Sequence, residues 1–445
     1  MDTNTPQHPP PSQPQPPPPP PQPIPSLKEK VIIVGGGFGG INAAKRLKKG
    51  DFDILLIDKS NHHLFQPLLY QVATAALSPG NIAMPIREIL RDQENTTVIM
   101  GEVERIDKKN KQIHLKHGDS YTYDYLILAP GARHSYFGHD EWEAYAPGLK
   151  SLSDAVDIRE HLLLSFEKAE ISHSPEEIKK LLRFVVIGGG PTGVEMAGSI
   201  AEIALKTLFK NFRNIKPEHS EIILIEGGKR VLQSYPEDLS KIAKKDLEAY
   251  GIKVLTDSIV TNITKQGVYI GDTFIPTANV IWAAGNQASA MLKMLETPVD
   301  RSGRVIVDTD LSVPGNPEIF VIGDAALKFN SKNEPLPGIA PVAIQEGVYV
   351  ANILLKKTKF EDRLPFIYHD KGTMATIGKA KAVAVIGKLK FSGLLAWLTW
   401  CFIHIFYLIS FPNRLIVMTQ WFFWYISGAR HARLIKKSIY EDDKK

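Results

Sequence analysis

Two sets of three glycines stand where a backbone could hold a phosphate. Gly35, Gly37 and Gly40 occur in VIIVGGGFGG, and Gly188, Gly190 and Gly193 in FVVIGGGPTGVEMAG. In a Gly-x-Gly-x-x-Gly loop the first glycine permits a tight turn and the second lets the backbone touch a pyrophosphate. The third lets helix and strand pack closely. The helix that follows turns free N–H groups and the positive end of its dipole toward the phosphates. Each set has an acid downstream, Asp58 and Glu226, at the end of a second apolar strand. A carboxylate there accepts hydrogen bonds from ribose hydroxyls. A lone glycine triplet is a weak signal. Strand, triplet, helix, strand and acid in order is a strong one, although an insertion over 205–220 lengthens the second copy.

Other chemistries are excluded by what the chain lacks. Cys401 is its single cysteine, so neither an intramolecular disulfide nor a Cys-x-x-Cys redox pair can form. The histidines show no paired-ligand spacing, and the neighbours His62 and His63 point to opposite sides of a strand, so no metal site is expected. A net charge of +5 is spread along the chain with some crowding near its end. A nucleic-acid binder gathers such charge in a patch, so no nucleic acid partner is expected.

The elements that must position the loops follow from the pattern. A chain of 445 residues exceeds one ordinary core, and two or three domains are expected. Strands are predicted over 31–34 and 54–57 around a helix over 41–48, and strands over 184–187 and 222–225 around the second loop. Their unbroken apolar runs suit a parallel sheet covered on both faces. Each half closes on a similar phrase, YLILAPGA with Ala129 and Gly131, and VIWAAGN with Gly285. Small residues there let a ligand approach the backbone. A third landmark, IFVIGDAA, contains Gly323 and Asp324 and precedes a helix over 342–355. Residues 9–25 are nearly all Pro and Gln and read as a stiff, solvated arm. The fold class is α/β, with two Rossmann-like dinucleotide-binding domains followed by C-terminal membrane-associated helices.

The two loops together with IFVIGDAA resemble the two-dinucleotide-binding flavoproteins, the glutathione-reductase-like fold. That resemblance implies FAD on the first loop and a nicotinamide on the second, with Gly323 and Asp324 closing on the FAD ribitol. An acid at Glu226 would repel a 2′-phosphate and so favours NADH over NADPH, a preference that Lys229 and Arg230 could soften. Disulfide reductases and sulfide:quinone reductases of this fold need redox cysteines that the chain does not have. The phrases HHLFQPLLYQVATAALSPGNIAMPIR, APGARHSYFG, PVAIQEG and GTMATIGKAKAV, with the apolar tail, resemble type II NADH dehydrogenases. Membership implies oxidation of NADH through FAD, with two electrons passed to a membrane quinone and no proton pumping. It also implies FAD contacts at Phe38, Gly39, Lys59, Gln66 and Pro67, and nicotinamide-side contacts at Pro191 and Thr192. Three catalytic positions carry over: Glu195 beside the nicotinamide–flavin contact, Gln345 at the quinone site, and Lys379 near the same pocket. The family phrase Ala-Gln-x-Ala-x-Gln reads APVAIQ here, with Pro341 in place of the first glutamine. The implied domains are an arm over 1–27, an FAD domain over 28–150 and 287–360, an NADH domain over 151–286 and a membrane-anchoring region over 361–445.

The tail has two apolar stretches, 391–411 and 415–427, separated by Arg414. The first is just long enough to cross a hydrocarbon core of ~30 Å. Basic residues flank both stretches (Lys388, Lys390, Arg430, Arg433, Lys436, Lys437), against the usual one-sided bias of a spanning helix. Trp397, Trp400, Trp421 and Trp424 suit an interface. Helices lying in one leaflet are therefore expected, with basic residues on anionic lipid, at the cytoplasmic face of the inner membrane. A spanning helix is the second reading. The third packs the tail onto the chain's own core or onto a homodimer partner. Two rival functions share the motifs: a soluble ferredoxin or rubredoxin reductase, and a flavin-bearing protein whose assembly responds to NADH.

Overall fold

The computed structural model describes residues 28–428, 430 and 432–436. The proline-rich arm expected over 1–27, and Lys437, lie outside them. In chain order, β1 (Glu29–Val34) runs through the first glycine loop into α1 (Phe38–Leu47), and β2 (Phe52–Asp58) returns beside β1. β3 (Thr96–Met100) and β4 (Tyr125–Leu128) follow, then the long helix α2 (Leu152–Ile171). The second unit is β5 (Arg183–Ile187), α3 (Pro191–Glu202), β6 (Glu221–Ile225), β7 (Lys253–Leu255) and β8 (Asn279–Trp282). The chain then re-enters the first unit through β9 (Ser312–Val313), β10 (Asn316–Val321) and α4 (Ala340–Leu355). It ends in β11 (Thr373–Gly378), β12 (Lys381–Ile386), β13 (Leu389–Ser392), α5 (Gly393–Tyr407) and α6 (Phe411–Ser427).

The first sheet has six strands in the order β9-β10-β4-β1-β2-β3, and the second has four, β7-β6-β5-β8. All pairs are parallel except β9 with β10. β1 and β5 sit inside their sheets, and Val31, Ile32, Ile33 and Phe184, Val185, Val186 are almost fully buried, as expected of strands covered on both faces. Two crossings join the units. Gly131 (φ +68°) and Gly285 (φ +70°) turn the chain out of β4 and β8. The segments beyond them, Ala132–His134 and Asn286–Ala288, pair antiparallel as a two-stranded ribbon.

Helix α1 begins at Phe38, earlier than the apolar pattern predicts. Gly39 and Gly40 are poor helix formers, so sequence places them in the loop. They lie within the helix, and glycine stands there because the space admits nothing larger. A Cβ on Gly40 would lie 1.8 Å from the Gly35 carbonyl oxygen, and one on Gly39 2.9 Å from Ile322. The insertion over 205–220 forms a wide turn, Ile203–Thr207, and a short 3₁₀ turn at Pro217–His219.

The tail departs from a single long helix. Its first apolar run breaks at Leu408–Ser410, where Ser410 holds φ at +77°. Among the described residues no helix is long and apolar enough to cross a membrane. Nor do the tryptophans gather at an outer interface. Trp400, Trp421 and Trp424 point inward and join the main hydrophobic core with Tyr70, Val194 and Met196. Removing any one of these indoles would cost roughly 3–5 kcal/mol. Arg430 also turns inward: its side chain is fully buried against Glu202, at 3.0 Å. The outer faces of both helices remain apolar, with Leu398, Phe402 and Phe406 on α5 and Leu415, Phe422 and Ile426 on α6 exposed.

Candidate functional site

The glycine loops are built alike. Gly35 and Gly188 adopt φ of +106° and +109°, open to glycine and strained for other residues. A Cβ on Gly35 would meet the Ala129 carbonyl at 2.1 Å, and one on Gly193 the Gly188 carbonyl at 1.8 Å. At Gly37 and Gly190 a Cβ would meet nothing within 4 Å. These two glycines are also the N-caps of α1 and α3, and no side chain caps either helix. Helix α2, by contrast, is capped by Ser151, whose hydroxyl accepts from the Asp154 N–H. Both loops thus leave N–H donors pointing into a backbone cradle, which fits a diphosphate.

The two acids lock the loops from the same side. Asp58 accepts from the Gly36 N–H at 2.6 Å, and from the Ser60 N–H and hydroxyl at 2.7 Å. Glu226 accepts from the Gly189 N–H and the Gly228 N–H, each at 2.6 Å, and from the Gln233 amide at 2.8 Å. Lys59 is exposed beside Asp58 and Lys229 beside Glu226, while Arg230 bonds the carbonyls of Gln233 and Tyr235. Pro191 and Thr192 stand exposed at the mouth of the second loop. Phe38 opens α1 and packs against His63 and Phe65, next to Gln66 and Pro67 in a 3₁₀ turn. His63 is buried and donates from Nδ1 to the Gly36 carbonyl at 2.9 Å, with His62 half-exposed on the other side. Among the described residues no cluster could hold a metal ion.

A third helix start faces the first loop. The Gly323–Ala325 turn follows β10, with Gly323 at φ +70°, and Asp324 lies half-buried there. Gly338 fits against it so closely that a Cβ would lie 3.0 Å from the carboxylate. Helix α4 also starts without a side-chain cap, and Pro341 sits in its first turn. Proline is tolerated there because that N–H has no helical partner, so replacing glutamine does not disturb the helix. Two residues missed by sequence reading complete this corner. Glu346 on α4 is buried and accepts from the Gly323 N–H at 2.5 Å. Burial, reinforced by the Asp324 charge, raises its carboxyl to about 8. Lys150 feels the attraction of Asp324, while burial pulls its own pKa down.

Glu195 sits half-buried on α3, just past the second loop. Crowding by Tyr70, Tyr235 and the tail strips water from its carboxyl and raises it to about 8. The Thr376 N–H lies 3.4 Å away, and the indole of Trp400 on α5 stands close by, its N–H forming no hydrogen bond among the described residues. The same face of α3 carries Ser199 and Glu202. Arg430 donates to the Ser199 hydroxyl at 3.1 Å and to the Thr74 carbonyl at 2.6 Å, and Glu202 also accepts from the Lys379 N–H at 2.7 Å. The signal for this network was in the sequence. Three polar residues stand at helical spacing on one side of an otherwise apolar helix, where a buried polar partner is required.

Gln345 and Lys379 are not brought into contact with Glu195. Gln345 uses both ends of its amide on the backbone of His369, donating to its carbonyl and accepting from its N–H, each at 3.0 Å. Lys379 is exposed at the turn between β11 and β12, and its ammonium bonds the Tyr425 carbonyl near the end of α6. A cation there complements the helix dipole.

Residues 29–347 match the pyridine nucleotide-disulphide oxidoreductase family, and residues 370–430 match the NDH2 C-terminal domain. Two type II NADH:quinone oxidoreductases of Mycobacterium tuberculosis are similar over most of their length. NdhA is 43% identical over 91% of this chain and 88% of its own, and Ndh is 42% identical over 91% and 90%. The NDH2 structure from Plasmodium falciparum, solved with NADH, superposes with a TM-score of 0.83. It covers 91% of this chain and 99% of its own at 24% identity, and so speaks for the fold. A paired nucleotide-binding architecture, a matching C-terminal domain and this degree of identity place the chain in the type II NADH:quinone oxidoreductase family.

Proposed function

We propose that this protein oxidises NADH and passes two electrons through bound FAD to a quinone at the surface of a membrane, without moving protons across it. One observation carries the reading. Helix α3 opens at the second glycine loop and, one turn later, sets Glu195 against Trp400 of the apolar tail. A single short helix therefore joins the nicotinamide loop to the side from which a lipophilic acceptor would arrive.

The residues divide accordingly. Gly35, Gly37, Gly39 and Gly40 form the cradle for the FAD diphosphate, with Asp58 and Lys59 toward its ribose. Ala129, Gly131, Gln66, Pro67, Gly323 and Asp324 line its remaining length. When bound, FAD supplies the two-electron exchange that no side chain here can perform. Gly188, Gly190 and Gly193 hold the NADH diphosphate with Pro191, Thr192 and Gly285. Glu226 accepts from the ribose and repels a 2′-phosphate. With its carboxyl raised to about 8, Glu195 is mostly protonated at neutral pH and can hold or release a proton at the contact. Gln345 and Lys379 act on the acceptor side as positioning residues, one fixing His369 and the other the end of α6.

The exposed apolar faces of α5 and α6 rest in one leaflet, with the exposed Lys388 at their start suited to anionic headgroups on the cytoplasmic side. Purified protein is mixed anaerobically with NADH and then with a quinone in lipid vesicles. The yellow colour should bleach, then return on quinone addition faster than it returns in air. Failure of the quinone to restore the colour would end this reading.

A further inference from the structure

The inner side of the tail carries one side chain whose chemistry the proposed reaction leaves unused. His404 on α5 stacks on Trp400 with ring centroids 4.1 Å apart and meets Phe65 edge-on at 6.3 Å. Phe65 precedes Gln66 and packs against Phe38 at the start of α1, 5.9 Å away. Less than one turn beyond His404, Tyr407 lies close enough to Tyr368 to act on its charge. Tyr368 in turn precedes His369, the partner of Gln345. His404 thus stands between the first-loop elements and the acceptor-side elements, and part of its surface remains open.

Its hydrogen bonding fixes what it can do. Nδ1 lies 2.7 Å from the Trp400 carbonyl. A carbonyl only accepts, so Nδ1 carries the proton. Aromatic packing and burial pull the imidazole down to about 4, which leaves it neutral. Nε2 therefore offers a lone pair and no proton, and the Nδ1 contact is the side chain's one hydrogen bond among the described residues. The two oxidation states of the acceptor differ in just this respect: a quinone headgroup has only acceptor oxygens, whereas a quinol has hydroxyl donors.

We propose that His404 distinguishes the two states of the acceptor, its Nε2 accepting a hydrogen bond from a quinol hydroxyl and offering nothing to the quinone. This rests on the quinone reading above. The bond becomes available only after reduction, so it stabilises the product on the enzyme and leaves substrate binding alone.

The test uses the flavin-loaded enzyme and three readouts: inhibition of NADH:decylubiquinone turnover by added decylubiquinol, KM for decylubiquinone, and NADH:ferricyanide reduction. H404F keeps a ring and removes the lone pair. It should weaken quinol inhibition about tenfold, the effect of one lost hydrogen bond, with KM and the ferricyanide rate unchanged. H404L should behave alike if a larger ring disturbs the stack, and H404Q, whose amide oxygen accepts, should restore most of the inhibition. An H404F enzyme whose quinol inhibition is unchanged, or whose KM for quinone rises as much as its quinol constant, overturns the proposal. Wild-type enzyme that reduces ferricyanide but never decylubiquinone removes the quinone reading and takes this proposal with it.

Discussion

The two glycine loops are close copies, while the helices that leave them keep different company. Each loop starts on a glycine near φ +110° and is fastened by an acid 2.6 Å from its middle N–H. Behind α1 stands another helix, α4, so close that a Cβ on Gly347 would lie 2.3 Å from the Gly39 carbonyl. Behind α3 stands a strand, β11, with Gly198 pressed against the Ile377 carbonyl at the equivalent of 1.8 Å. The buried face of α1 is apolar, with Ala43, Ala44 and Leu47. That of α3 carries Glu195, Ser199 and Glu202 into the tail. A loop of this kind offers a cradle that fits a diphosphate. The neighbours of its helix settle whether the ligand stays in place or exchanges with something beyond it.

The sharpest way to break this comparison is to fill the equivalent glycine in each loop. G40A should give colourless protein, because the methyl would overlap the Gly35 carbonyl and close the FAD cradle. G193A should stay yellow yet fail to bleach with NADH, seen in the absorbance of purified protein. Reversed outcomes would exchange the two assignments.

A second contrast lies in charge. R430M leaves Glu202 buried without its partner and should cost about 3–5 kcal/mol in urea unfolding. Lys357 and Glu29, at the first unit, form an exposed pair at 3.0 Å, so K357M should leave the urea midpoint close to that of the wild type. Equal effects would mean that the tail is not tied to α3 as described.

The smallest effect concerns the buried acids behind the two loops. Glu346 and Glu195 are both raised from 4.5 to about 8, chiefly by burial. The folded protein therefore binds more protons than the unfolded chain between those values, and stability falls as pH rises through that window. E346Q should flatten this decline, because Glu346 is 1% exposed. E195Q should do so as well, its carboxyl being raised by the same loss of water. Melting temperatures of flavin-loaded protein at about pH 5 and pH 8 decide it. A decline as steep in E346Q as in wild type would show that Glu346 already ionises near the ordinary value.

What could be read from sequence was local or had a rigid grammar. Glycines, strands and the two acids sit within one βαβ unit each, where spacing and geometry are tightly linked. The tail was read less well. Arg430 looked like a surface cation because its partner, Glu202, lies 228 residues earlier. Trp400, Trp421 and Trp424 looked interfacial because composition cannot tell an inward indole from an outward one. The break at Leu408–Ser410 carries no Gly or Pro of its own; Pro412 in the first turn of α6 is its local signal, and beyond it α6 brings Trp421 to Gln71, at 2.8 Å. Gln345 was recognised by resemblance, but its amide proved to be committed to His369.

The buried Arg430 has a consequence for how the molecule is made. The main core gathers residues from Phe65 to Trp424, and the cation that neutralises Glu202 comes later still in the chain. During synthesis both nucleotide-binding units emerge with this core unfinished, its indoles not yet translated. A chain released before residue 430 lacks the cation that faces Glu202 on α3 and keeps the Lys379 N–H as its donor. Translation as far as residue 430 is thus written into the helix that serves the second loop, and a copy cut before it would be a poorer fold as well as a shorter one.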